Sequence, residues 1–89
     1  MYTVLLMPSS KRDIRRIDRQ HIPRIYREIN DLREEPFPSG HLKIMGAPGV
    51  VRLRVGDYRI FYTVNTALKQ IIVYHIYKRD EGTYKRLRR

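Results

Sequence analysis

Between Val51 and Val64 the chain alternates apolar and polar residues with a period of two, broken once by Gly56-Asp57. That pattern is satisfied by a β-hairpin with one buried face. Val51, Leu53 and Val55 alternate with Arg52 and Arg54; after the break, Tyr58, Ile60, Tyr62 and Val64 alternate with Arg59, Phe61 and Thr63. Gly56-Asp57 suits a two-residue primed turn, which predicts Val55 opposite Tyr58, Arg54 opposite Arg59 and Leu53 opposite Ile60. The apolar parity must cover a core, and the arginine parity then faces away from it.

The remaining elements arrange themselves around this hairpin. Tyr2 to Met7 reads as a first strand: its apolar run is too short and too early for a signal peptide, and no basic residues precede it. Ser9 or Ser10 can cap a short helix with an Ile14/Ile17 stripe, flanked by Lys11, Arg12, Arg15, Arg16 and Arg19. Ile22, Ile25, Ile29 and Leu32 predict a second helix over about 22–34, with Pro23 in its first turn. Arg24 with Glu28 and Arg27 with Asp31 are spaced as i,i+4 pairs on its outer face. Pro36, Pro38 and Gly40 stop it, and the two helices are expected to form an antiparallel hairpin. A last strand over about 70–77 is apolar on both parities and is therefore expected in the middle of the sheet. If Ile72, Tyr74 and Ile76 line its covered face, His75, Tyr77 and Arg79 join the arginines. The expected class is α+β: an N-terminal strand, a helical hairpin and a three-stranded antiparallel meander, in one sheet with helices on one face.

At 89 residues, one domain spanning 1–89 is expected, since a chain this short buries only about 60–65% of its unfolded surface. There is no Cys, which excludes a disulfide scaffold and a thiolate metal site and points to a reducing cytoplasmic compartment. No apolar run reaches membrane-spanning length, about 18 residues, so a soluble protein is expected. Lys and Arg number 19 against 9 Asp and Glu, a formal net charge of +10. The surplus lies in the second half: +3 over residues 1–51 and +7 over residues 52–89. Such a chain implies a partner rich in phosphate or carboxylate.

The hairpin register sharpens that implication. Arg52, Arg54 and Arg59 share a face, with Arg54 and Arg59 roughly 5 Å apart at Cβ. A guanidinium, with a pKa above about 12, cannot shed its proton to relieve the repulsion. The cluster therefore accepts an anion, an internal carboxylate or a phosphate, or else splays into water or stacks on Phe61 and nearby tyrosines. Seven tyrosines and no tryptophan make Tyr the stacking residue. Tyr58 and Tyr62 carry the core parity, Tyr77 the arginine parity, and Tyr84 sits in a polar tail. Aromatics beside arginines are what single-stranded RNA recognition uses. His21, His41 and His75 lack metal-ligand spacing, and Gly46-Ala47-Pro48-Gly49 is not a phosphate loop, so no metal and no cofactor is expected. His75 is placed either to exchange a proton or to serve the sheet structurally.

The run Val51-Arg52-Leu53-Arg54-Val55-Gly56-Asp57-Tyr58-Arg59-Ile60-Phe61-Tyr62, preceded by Leu42-Lys43 and Gly46 and followed by a strand with a basic end, resembles the RelE/ParE toxin superfamily of type II toxin–antitoxin systems. The resemblance spans Tyr2 to Tyr84 and implies the same fold. RelE-like members are ribosome-dependent endoribonucleases that cut mRNA in the A site; ParE-like members inhibit DNA gyrase. Under the RelE-like resemblance, Arg59 contacts the scissile phosphate, Arg79 is the second catalytic arginine and Tyr84 orients the base. Arg52 stands where the family carries one catalytic lysine, and Val50 where it carries the other. Arg54, Lys78, His75 and Tyr77 become substrate-binding candidates, and Arg12, Arg15, Arg16 and Arg19 a ribosome-binding helix face. Strand cleavage by a 2′-OH needs a base that arginine cannot supply, which leaves Tyr84, His75, Lys78 or a ribosomal group. The implied partners are the ribosome, mRNA and a small acidic RelB-like antitoxin, and the implied compartment is the cytoplasm. A gyrase inhibitor and a non-catalytic basic nucleic-acid-binding module are the competing readings.

Overall fold

The structure, a computed structural model, describes residues 1–79. In chain order it has β1 (Thr3–Leu6), α1 (Pro8–Arg15), a 3-10 turn at Arg19–His21, α2 (Ile22–Asp31), β2 (His41–Lys43), β3 (Val50–Val55), β4 (Tyr58–Asn65) and β5 (Gln70–Lys78). The strands form one sheet in the order β1-β5-β4-β3-β2. This is the expected α+β architecture with one addition to the sheet. A fifth strand, β2, pairs with β3 through Leu42 and Arg52; at three residues it is too short to show a period. The first strand lies parallel to β5, Thr3 against Gln70 and Leu6 against Val73, which makes β5 an interior strand, as its two apolar parities imply.

The β3–β4 hairpin has the register that the alternation implies, with Val55 opposite Tyr58, Arg54 opposite Arg59 and Leu53 opposite Ile60. Its turn places Gly56 at φ 59°, matching the demand of a type II′ turn for glycine at the first central position. The core collects Val51, Leu53, Val55, Tyr58, Ile60 and Tyr62 from the hairpin, with Ile25, Ile29 and Leu32 from the α2 region and Ile14 and Ile17 from the α1 region. Tyr62 is fully buried there; its hydroxyl donates to the Pro36 carbonyl at 2.8 Å, and burial pushes its phenol well above the ordinary tyrosine range.

The helices depart from expectation in detail. Helix α1 begins at Pro8, with Met7 as its cap residue, so neither serine caps it. Ser10 is buried and its hydroxyl donates to the Met7 carbonyl at 2.7 Å. The helix ends at Arg15, so Ile17 and Arg19 lie beyond it. Helix α2 stops at Asp31, short of residue 34, and neither Arg24 with Glu28 nor Arg27 with Asp31 closes an ion pair among the described residues. Both helices follow each other through the 3-10 turn, but each rests chiefly on the sheet, α1 against β5 and α2 against β3. No described helix is long and apolar enough to cross a membrane.

The last strand overturns one expectation outright. Ile71 and Val73, not Ile72 and Tyr74, face the core. A bulge then inserts Tyr74 between the Tyr62–Val73 and Phe61–His75 pairs, which returns Ile76 to the core and leaves His75 and Tyr77 on the arginine side. Because both parities of this strand are apolar, its own sequence does not fix its register, and the neighbouring strands do.

Beyond Val73, no described strand pairs with β5 on the β1 side, and α1 lies along that edge. The exposed backbone groups of an edge need partners. Ser9 Oγ donates to the Tyr74 carbonyl at 2.6 Å, and the Ile76 N–H donates to Asp13 Oδ2 at 2.9 Å.

Candidate functional site

The sheet face away from the helix-packed core carries three rows across β3, β4 and β5: Val50, Thr63 and Ile72; Arg52, Phe61 and His75; Arg54, Arg59 and Tyr77. Five of the sequence-derived candidates, Arg52, Arg54, Arg59, His75 and Tyr77, are thereby brought together. Antiparallel pairing puts Arg54 and Arg59 side by side, and their guanidinium groups turn to backbone oxygens. Arg54 Nε donates to the Gly56 carbonyl at 3.2 Å, and Arg59 Nη1 reaches the Tyr58 carbonyl only at 3.5 Å. Among the described residues no carboxylate pairs with either; the one ion pair there is His75 with Asp13. Two adjacent cations on the polar face of a strand pair favour an anion.

Aromatic rings border these arginines. Tyr77 stacks on the His75 ring at 4.7 Å with 15° between planes, and Phe61 meets Tyr77 at 5.9 Å in a tilted contact. Phe61 and Tyr77 are almost wholly buried although they face away from the helix-packed core. The ring system is therefore a fixed wall beside the arginines.

The other candidates fall around this face. Arg79 is exposed, and its N–H donates to the Asp57 carbonyl at 2.7 Å, which ties the end of β5 to the hairpin turn and sets Arg79 at the Arg54/Arg59 end. Lys78 pairs with Tyr58 and takes the opposite parity; it lines a cleft of about 260 Å³ with Asp13, Arg16, Asp18 and Tyr58, separate from the arginine row. Val50 is half-buried and lines an apolar cleft of about 390 Å³ with Phe37, Ile44 and Val64. Tyr84 lies outside the described residues. Arg12, Arg15, Arg16 and Arg19 are all exposed. Arg12 and Arg16 share a cleft of about 230 Å³ with Ser9, Asp13, His75 and Tyr77, so half of the basic helix group adjoins the open face. No three His, Asp or Glu side chains among the described residues gather as a metal site.

Asp13 is the residue that sequence reasoning passed over. Its Oδ2 lies 3.1 Å from His75 Nδ1 and also accepts the Ile76 N–H. The available signal was a lone carboxylate among Lys11, Arg12, Arg15 and Arg16 on a short basic helix.

The sequence model for the ParE toxin of type II toxin–antitoxin system, parDE, matches residues 4–82. Among solved structures, a chain of the archaeal RelE–RelB complex from Pyrococcus horikoshii is similar, with 26% identity over 91% of this chain and 98% of that one and a TM-score of 0.78. The RelBE toxin–antitoxin complex from Mycobacterium tuberculosis contains a chain with 21% identity over 88% of this chain and 98% of its own, TM-score 0.76. Isolated RelE toxin from E. coli superposes at TM-score 0.75 with 15% identity, over 97% and 93% of the two chains. A comparison with curated protein sequences finds no significant match.

Proposed function

The chain belongs to the ParE toxin family of type II toxin–antitoxin systems, and from that premise we propose that it acts as a RelE-like, ribosome-dependent endoribonuclease that cuts mRNA in the A site and stops translation. The observation that carries the reading is the cross-strand Arg54–Arg59 pair, without a carboxylate among the described residues and flanked by the Tyr77 and His75 rings. A gyrase inhibitor has no evident use for a phosphate cradle beside a stacking wall. A nuclease uses both, the cradle for the phosphorane and the wall for a base.

In this mechanism the 2′-oxygen attacks the adjacent phosphorus while the bond to the 5′-oxygen breaks. Arg59 and Arg79 hold the equatorial oxygens, where charge accumulates, and Arg52 and Arg54 add positive potential without exchanging protons. Tyr84 is the stacking residue, and Tyr77, nearly buried, backs the His75 ring beside the substrate. The exposed arginines at 12, 15, 16 and 19 contact ribosomal RNA. An acidic RelB-like antitoxin is the partner that neutralises the toxin, supported by relatives solved as RelBE complexes, and the cytoplasm is where all three meet.

Primer extension on an actively translated mRNA tests the reading. Wild type should leave ribosome-dependent cuts within codons, and Arg59→Ala and Arg79→Ala should each lower cutting by about 10²–10³. Intact mRNA under continued protein synthesis overturns it. The match to a ParE family model favours gyrase inhibition as the second reading, and a supercoiling assay would then decide that case.

A further inference from the structure

Among the described residues, the open face supplies charge to a phosphate but holds one side chain suited to removing a proton at neutral pH. Its three central rows contain Arg52, Arg54 and Arg59, the uncharged Val50, Thr63, Ile72, Phe61 and Tyr77, and a single histidine, His75. We propose that Asp13 and His75 form a proton-transfer pair, in which His75 Nε2 takes the 2′-OH proton of the RNA and Asp13 fixes the ring that does so. The inference rests on the endonuclease reading above and adds the base that reading lacks.

The geometry fixes the ring on several sides. Asp13 Oδ2, 3.1 Å from Nδ1, is an acceptor, so the neutral ring carries its proton on Nδ1 and keeps a lone pair on Nε2. The carboxylate oxygen is itself held by the Ile76 N–H at 2.9 Å, so Asp13 is anchored to the strand that carries His75. The ring lies flat against Tyr77, 15° from parallel. Nε2 makes no hydrogen bond to any described residue. His75 is 29% exposed and Asp13 12%, which leaves the ring reachable and the carboxylate sheltered.

The surroundings suit a phosphodiester. Both residues line the 230 Å³ cleft whose other walls include Arg12 and Arg16. Arg59 pairs with Tyr77, two residues from His75 on the same face, so Arg59 and His75 are diagonal neighbours about 7–8 Å apart. That span fits a phosphate on Arg59 with the adjacent ribose at His75. Among the described residues, the charged and titratable groups around His75 are Asp13, Arg12 and Arg16 from the helix side, Tyr77 on its own strand, and Arg52 and Arg59 across the sheet.

The step balances as follows. The 2′-OH proton goes to Nε2, the O2′–P bond forms, the P–O5′ bond breaks to leave a 2′,3′-cyclic phosphate, and the departing 5′-oxygen takes a proton from water. The imidazolium, stabilised by Asp13 in the interim, returns its proton to solvent. Asp13 touches no substrate and is a positioning residue.

Single-turnover cleavage of ribosome-bound mRNA across about pH 5.5 to 9 tests this with wild type, His75→Gln and Asp13→Asn, alongside side-chain nitrogen NMR of His75 in the free protein. Wild type should cut more slowly towards acid. His75→Gln should lose about 10²-fold in rate together with that acid dependence. Asp13→Asn, which keeps an acceptor for the Ile76 N–H, should lose roughly tenfold in rate, because an amide holds the ring less firmly than a carboxylate does. NMR should find the neutral-ring proton on Nδ1. Wild-type cutting matched in rate and pH dependence by His75→Gln overturns the proton-transfer pair and leaves the endonuclease reading standing, and a proton found on Nε2 does the same. A wild type that cuts no ribosome-bound mRNA overturns both.

Discussion

The β3–β4 hairpin and the β5–α1 edge lie side by side in one sheet, yet they are specified in different ways. In the hairpin each strand encodes its own orientation: arginine alternates with valine or leucine, and a one-residue slip would bury three guanidinium groups. In β5 every residue from Ile71 to Val73 is apolar and either parity can face the core. Its register is imposed from outside, by a bulge at Tyr74 and by the Ser9 and Asp13 contacts from α1. Charge on one parity writes register into a sequence; uniform apolarity hands it to neighbouring elements.

The largest effects that sharpen this contrast come from adjacent isoleucines. Ile71→Ala should cost about 2–5 kcal/mol in urea unfolding, because Ile71 is fully buried in the core. Ile72→Ala, on the open face and half-buried, should cost under about half as much. Equal losses would mean that the register placing Ile71, and not Ile72, in the core is not the one β5 holds.

Asp13→Ala removes the acceptor of a half-buried backbone donor, and leaving the Ile76 N–H without it should cost about 1–3 kcal/mol and speed amide exchange at Ile76. Unchanged exchange there would show that α1 does not secure the edge. On the hairpin side, Gly56→Ala places a side chain at φ 59° and should cost about 1–2 kcal/mol, with no change in the slope of unfolding against urea.

The smallest effect is set by pH. Burial raises the Tyr62 phenol, so the folded state keeps it neutral while an unfolded tyrosine ionises near about pH 10. Its contribution is complete below that pH and is lost as pH rises beyond it. Wild type should therefore lose more stability than Tyr62→Phe between about pH 9 and pH 11, and parallel losses would contradict the assignment.

The same contrast explains what was legible in the sequence. The hairpin pairing, the core tyrosines Tyr58 and Tyr62 and the gathering of Arg52, Arg54 and Arg59 all follow from local alternation and a turn signal, and the interior position of the last strand from its apolarity on both parities. Strand β2 is too short to signal itself, and placing the cap at Ser9 or Ser10 passes over Pro8, a residue that suits a helix's first turn. The Asp13–His75 contact joins residues 62 apart, and no local pattern encodes such a pair. Lys78 shares the parity of Ile76, so its place on the helix side is already implicit in the expected alternation, which sets it apart from the arginine row.

The central claim is that the open face of the sheet, and not basic charge in general, acts on RNA. The most direct measurement is the rate of ribosome-dependent mRNA cleavage for wild type, Arg59→Ala and Arg27→Ala. The two variants lose the same charge, one from the arginine row and one from the exposed side of α2. The account predicts a drop of about 10²–10³ for Arg59→Ala and a change within about threefold for Arg27→Ala. Equal losses in the two variants, or full activity in Arg59→Ala, would contradict it.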